Sequence, residues 1–152
     1  MEFRCPVIAV SDLEVSKKFY EEVLNQKIVL DLGWNVTFDG GFAIQYNFAE
    51  LVLVDKDTVI NKSHNFELYF EEDDFDGFIE RLKKFDNIQY VHPPKKYDWQ
   101  QRVVRIYDPD NHIIEIGESM AVIAKRYLNQ GYSAEETAQI IQHPIEFVRS
   151  LI

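Results

Sequence analysis

Val103-Val104-Arg105-Ile106-Tyr107-Asp108-Pro109-Asp110-Asn111-His112-Ile113-Ile114-Glu115-Ile116-Gly117 reads as strand, tight turn and strand. Apolar and β-branched residues flank Asp-Pro-Asp-Asn, and that composition is turn chemistry. Pro109 presets φ, while Asp and Asn tolerate the unusual dihedrals of a tight turn. Glu115 then falls inside an otherwise apolar strand. A bare buried carboxylate is too costly, so Glu115 is paired, bound to a metal, or open to a wet cavity.

Working outward, the same pattern lies earlier in the chain. Asn35–Phe38 and Phe42–Tyr46 flank Asp39-Gly40-Gly41 as a hairpin. Before it stand a strand over Arg4–Val10, a helix from Ser11-Asp12 to Leu24, and a strand over Lys27–Leu32. Before the later hairpin stand a strand over Asn65–Phe70, a helix from Asp73-Asp74 to Phe85, and a strand over Ile88–Val91 that His92-Pro93-Pro94 breaks. Phe48–Ser63 connects the halves, with Leu51–Val54 either a short strand or part of a helix. The spacing therefore predicts two strand-helix-strand-strand-strand modules, about 3–47 and 64–118, with a tail over 120–152. A shift of 70 lays Gln45 on Glu115, and a shift of 62 lays Asp12-Leu13 on Asp74-Phe75 and Cys5 on Glu67. Cys5, Gln45, Glu67 and Glu115 become related positions. Strand alternation lets each face away from the helices.

The chain has 152 residues, 46% of them hydrophobic, enough for a sizeable core. Its net charge of −10 argues against nucleic acid and anionic membranes as partners. Residues 120–152 carry three basic and three acidic side chains, so the acidity belongs to residues 1–119 and the character changes near Ser119. A single cysteine excludes an internal disulfide framework and fits a reducing cytoplasm. No apolar run approaches the roughly 20 residues a bilayer span needs, and Met1-Glu2-Phe3-Arg4 has no signal-peptide pattern.

Val10-Ser11-Asp12-Leu13-Glu14-x-Ser16-x-x-Phe19-Tyr20 resembles the opening of the glyoxalase, bleomycin-resistance and extradiol-dioxygenase superfamily, the vicinal oxygen chelate fold. Asp74-Phe75-Asp76-Gly77-Phe78 resembles the start of its second module, and Asp108-Pro109-Asp110-Asn111-x-Ile113-x-Glu115 its closing signature. The resemblance covers residues 3–118. It implies an α+β fold of two βαβββ modules forming a cup-shaped mixed sheet, here with a helical tail. It also implies one divalent metal held at the four related positions, Glu115, Glu67, Gln45 and Cys5, or, as in resistance proteins of the superfamily, none. Glu67 stands where His is more usual, and Cys5 departs from the His or Gln of the family.

Two functions follow from the resemblance. One is a lactoylglutathione-lyase-like lyase or isomerase acting on an oxygen-rich metabolite, with Glu115 and Glu67 as metal ligands or as acid and base. The other is a metal-free binder that sequesters a planar or anionic small molecule. Glu115 has a competing role as an ion-pair partner of Arg102 or Arg105, only one of which has the inward parity. Trp99, Arg102, Arg105, Tyr69 and Gln45 are the expected ligand contacts. Trp99 lies in Tyr97-Asp98-Trp99-Gln100-Gln101-Arg102, where the family often carries Trp-Gly-x-Arg; Gln100 replaces that glycine. Cys5 reads as a small buried residue rather than a nucleophile, since no His lies near it in sequence to activate it. The four histidines are spread along the chain and read as turn residues.

The tail reads as helix, Gly131, a Ser133-Ala134-Glu135-Glu136 capping box, a second helix, Pro144 and a third helix. Its few cations argue against DNA binding. Packing against the rest of the chain or a second copy is expected, with a homodimer in the cytoplasm as the working assembly.

Overall fold

The computed structural model describes residues 1–152. The first module contains strands β1 (Val7–Val10), β2 (Ile28–Asp31), β3 (Asn35–Phe38) and β4 (Ala43–Tyr46), with helix α1 (Leu13–Glu22) after β1. A short helix α2 (Phe48–Val52) and a 3-10 turn (Lys56–Thr58) follow. The second module contains β5 (Glu67–Glu72), β6 (Gln89–Lys96), β7 (Arg102–Tyr107) and β8 (Ile113–Glu118), with α3 (Phe75–Leu82) after β5. The tail forms α4 (Met120–Asn129), α5 (Ala134–Ile141) and α6 (Ile145–Arg149). The class is α+β.

The two sheets share one plan. The first has the order β1-β4-β3-β2 and the second β5-β8-β7-β6, the same permutation four strands later. In the first, β1 runs parallel to β4, and the other two pairings are antiparallel. The helices repeat as well: Asp12 accepts from Val15 N–H at 3.0 Å, and Asp74 from Gly77 N–H at 3.0 Å. Each aspartate satisfies a donor that the first helical turn leaves free. Alternation holds in β1 and β5, where Ile8 and Val10 of β1 and Leu68 of β5 are buried while Val7 and Glu67 are exposed.

By compactness the chain falls into residues 1–66 with 107–113, and residues 67–106 with 114–152. In the first unit, Tyr20, Phe38 and Phe42 cluster at ring separations of 4.9–5.4 Å. The Tyr20 hydroxyl donates to Asp108 at 2.8 Å, and Asp108 also accepts from His112 Nδ1 and from the backbone N–H groups of Asp110 and His112. The Asp-Pro-Asp-Asn turn is thus held by a buried carboxylate with all its acceptors used.

The second unit closes with its own tail. Met120, Ile123, Ala124, Ala138, Ile141 and Val148 form a buried cluster. Ser133 and Glu136 complete the expected capping box, and Gly131 takes φ +93° beyond α4, a left-handed conformation that glycine adopts freely. Glu118, at the end of β8, is 1% exposed and accepts from both Arg102 and Arg126. Burial pushes the Glu118 carboxyl up, but those two guanidinium groups outweigh it and hold its pKa below the usual value.

Two strands differ from expectation, and one open alternative is decided. The first strand begins at Val7 rather than Arg4, so Cys5 precedes the ladder and strand alternation does not orient it. Of the two alternatives for Leu51–Val54, the structure takes the helical one: Leu51 and Val52 end α2. The strand expected to stop before His92 runs from Gln89 through Pro93 and Pro94 to Lys96. It lies at the edge of the sheet, where one side needs no ladder partner and missing donors are tolerated.

Candidate ligand site

Arg105 on β7 is the centre of a charged cluster. Its Nε donates to Glu67 at 2.9 Å, its Nη1 to the Tyr97 hydroxyl at 2.8 Å, and its Nη2 to Glu115. Its Nη1 also lies 3.1 Å from His92 Nε2. The Nδ1 of His92 lies 2.8 Å from the Pro93 carbonyl, which can only accept. That ring nitrogen carries the proton, leaving Nε2 to accept from the guanidinium. Burial lowers the Arg105 pKa, but the bonds to Glu67 and Tyr97 outweigh it, and the net shift is upward. Arg105 is a fixed cation.

The two carboxylates differ in environment. The Glu115 side chain is 10% exposed and that of Glu67 is 40% exposed. The Glu115 pair is therefore sheltered, and removing one partner would strand a charge. The Glu67 contact is open to solvent and contributes little.

Of the two arginines flanking β7, only Arg105 joins this cluster. Arg102 donates to Asp76 on α3 at 2.7 Å and to Glu118 at 3.0 Å, and its guanidinium lies over the Phe75 ring. It faces the helix side, three residues and one parity away, so the structure does not bring it to the Glu67–Arg105–Glu115 cluster. Trp99 packs against the tail cluster and stacks on Tyr97 at 4.4 Å, reaching Arg105 only through Tyr97. Tyr69 donates to Glu71 and accepts from Gln101, both at 2.8 Å. Burial first, and then the Glu71 bond, push its phenol pKa up to about 12.

Gln45 belongs to the first unit. It is 7% exposed, accepts from Asn35 Nδ2 at 3.0 Å and donates to the Tyr46 carbonyl at 2.6 Å. Cys5 is partly buried.

Three cluster or loop residues escape the sequence reading. His92 reads as a turn residue because Pro93-Pro94 reads as a breaker. Tyr97 carries no pattern of its own. Gln101, 4% exposed, ties Trp99 Nε1, the Tyr69 hydroxyl and the Glu118 carbonyl together at 2.8–3.0 Å. Gly117 leaves the space for it, since a Cβ there would come within 2.4 Å of the Gln101 amide. A glycine in a central strand is the one signal that pointed to this close approach.

The cluster does not fit a divalent metal as it stands. Acids and an imidazole are suitable donors, but they surround a guanidinium, and no three His, Cys, Asp or Glu side chains gather into a ligand set.

The model of a glyoxalase-like domain matches residues 3–121. The chain belongs to that family. It is thereby a member of the vicinal oxygen chelate superfamily, and the match ends just inside α4. No curated protein matches the chain. Among solved structures, a protein of unknown function from Agrobacterium tumefaciens str. C58 is 37% identical, covering 78% of this chain and 94% of that one with a TM-score of 0.67. A lactoylglutathione lyase from Agrobacterium tumefaciens is 23% identical over 78% of this chain and 93% of that one, TM-score 0.60. The fosfomycin resistance protein FosX from Mesorhizobium loti is 22% identical over 83% and 97%, TM-score 0.56. The last two show the fold alone.

Proposed function

We propose that this glyoxalase-like protein binds a small acidic molecule without a metal, with Arg105 as the anchor. The observation that carries the proposal is the guanidinium standing among Glu67, Glu115, Tyr97 and His92. Glu115 is sheltered and keeps the guanidinium oriented. Glu67 is exposed and loosely held, so a ligand carboxylate or phosphonate can take its place on Arg105 and gain a planar, two-point contact. Tyr97 supplies a neighbouring hydroxyl. Binding of this kind suits a sequestering protein, and it makes Glu67 the residue that moves aside. The lyase or isomerase alternative requires Glu67 and Glu115 to be free for a metal or a proton, and both accept from Arg105. The accompanying expectations are a homodimer, tested by light scattering, and a cytoplasmic setting, supported by the single cysteine. No helix is long and apolar enough to cross a membrane.

The test is a thermal-shift screen of small carboxylates, phosphates and phosphonates with a chelator present, comparing the native chain with Arg105→Lys. Lysine keeps the charge and loses the planar fork. A ligand at a hundred times its dissociation constant stabilises by about 2.7 kcal/mol, which is roughly 5–11 °C for a chain of this size. The expected result is a shift in the native chain that Arg105→Lys loses. Stabilisation that appears only when Mn, Ni or Zn is added would overturn the proposal.

A further inference from the structure

The tail extends beyond the family match, yet it touches the loop that carries Tyr97. The Tyr127 hydroxyl on α4 donates to Gln100 Oε1 at 3.1 Å. Gln100 has φ +72°, in the left-handed region that non-glycine residues rarely adopt. Its N–H donates to the Tyr97 carbonyl at 2.9 Å and its Nε2 to the Asp98 carbonyl at 2.8 Å. Trp99 packs against the tail cluster on one side and stacks on the Tyr97 ring at 20° on the other. Tyr97 in turn accepts from Arg105. An unbroken chain of contacts runs from α4 to the guanidinium.

We propose that Gln100, Trp99 and Tyr127 are positioning residues, through which the tail holds the loop 97–101 in the shape that presents Tyr97 to Arg105. This rests on Arg105 as the centre of the site. A glutamine at positive φ carries strain that glycine would not, comparable to one neutral hydrogen bond. The Tyr127 contact offsets that strain, so the side chain that replaced glycine also fastens the loop to α4. The tail has separate anchors, Arg126 on Glu118 and the Ser119 N–H on the Glu72 carbonyl at 3.0 Å. Loss of the Tyr127 bond therefore frees the loop while α4 stays docked.

The test uses the full chain carrying Trp34→Phe, so that Trp99 is the sole tryptophan. Phenylglyoxal modification of Arg105 is followed by peptide mass spectrometry, with exposed Arg4 as the internal control, alongside acrylamide quenching of Trp99. Tyr127→Phe and Gln100→Ala are expected to raise Arg105 modification about fivefold, the factor that a lost neutral hydrogen bond allows, with quenching rising in step. Gln100→Gly should raise it less, because glycine takes the φ unaided. Glu135→Ala, which breaks the exposed Glu135–Arg149 pair, should leave both readouts unchanged. Native values for Arg105 and Trp99 in Tyr127→Phe and Gln100→Ala would overturn the inference, as would an equal rise in Glu135→Ala. Neither readout needs a ligand, so failure here is separable from failure of Arg105→Lys to lose ligand stabilisation.

Discussion

The two modules fill one cross-strand position in opposite ways. In the first, Asn35 on β3 stands opposite Gln45 on β4, and the two amides share a hydrogen bond of 3.0 Å. Seventy residues later, Arg105 on β7 and Glu115 on β8 make the corresponding pair with full charges. Both modules bury a polar side chain in an interior strand, and both satisfy it from the next strand. The neutral pair completes itself locally with the Tyr46 carbonyl. The charged pair does not stop at two members: its guanidinium recruits Glu67, Tyr97 and His92. The repeat supplies the same slot twice, and charge turns one copy into the cluster proposed as the ligand site.

The sharpest way to break this comparison is to move one pair into the other module. Arg105→Asn alone leaves Glu115 without its cation, and partial exposure sets the expected loss near about 2–3 kcal/mol, below the range for fully buried pairs. That is roughly 4–12 °C in melting midpoint. Adding Glu115→Gln recreates the neutral pair and should restore most of the loss. A double variant as unstable as the sum of its singles would show that the two slots are not equivalent. Denaturant unfolding of the four proteins in the cycle measures this.

A smaller effect separates the two compact units by pH. The Glu118 pKa is lowered in the folded chain, so its contribution is fully present above the ordinary value of 4.5 and is lost as pH falls below it. Glu118→Gln is expected to cost about 1–3 kcal/mol at neutral pH and to flatten the acid side of the stability curve. His112, in the first unit, behaves in the opposite sense. Burial lowers its pKa, but Asp108 outweighs burial and the net shift is upward from 6.5. Its contribution is present below that value and lost as pH rises through the folded one. His112→Asn should remove a slope worth less than about 1 kcal/mol between mildly acidic and mildly alkaline pH. With one tryptophan in each unit, Trp34 and Trp99, the two limbs can be followed separately. An acid limb unchanged by Glu118→Gln would contradict the assignment.

Much of the fold was legible because its signals are local and repeated. Asp12 and Asp74 cap their helices, and the shift of 70 lays Gln45 on Glu115 without any coordinates. Strand limits were less legible. Pro93-Pro94 breaks a central strand but not an edge one, and edge position depends on sheet order. The site was half legible. Glu115 and Arg105 announce themselves as charges among apolar neighbours, with parity setting Arg105 apart from Arg102. His92 and Tyr97 reach the cluster from β6 and the loop after it, through pairing that no spacing rule encodes. Gln100 is the opposite case. It marked a visible departure from glycine, but its partner Tyr127 lies in a tail that the family pattern does not include.

A guanidinium stands among Glu67, Glu115 and His92, the side chains that a divalent metal would otherwise draw on. Calorimetric titration of Mn, Ni and Zn into the native chain, Glu115→Ala and Arg105→Ala tests it directly. The native chain should show no one-to-one binding that depends on Glu115, while Arg105→Ala, with Glu67, Glu115 and His92 released, should gain affinity. One equivalent of metal bound by the native chain and lost in Glu115→Ala would contradict it.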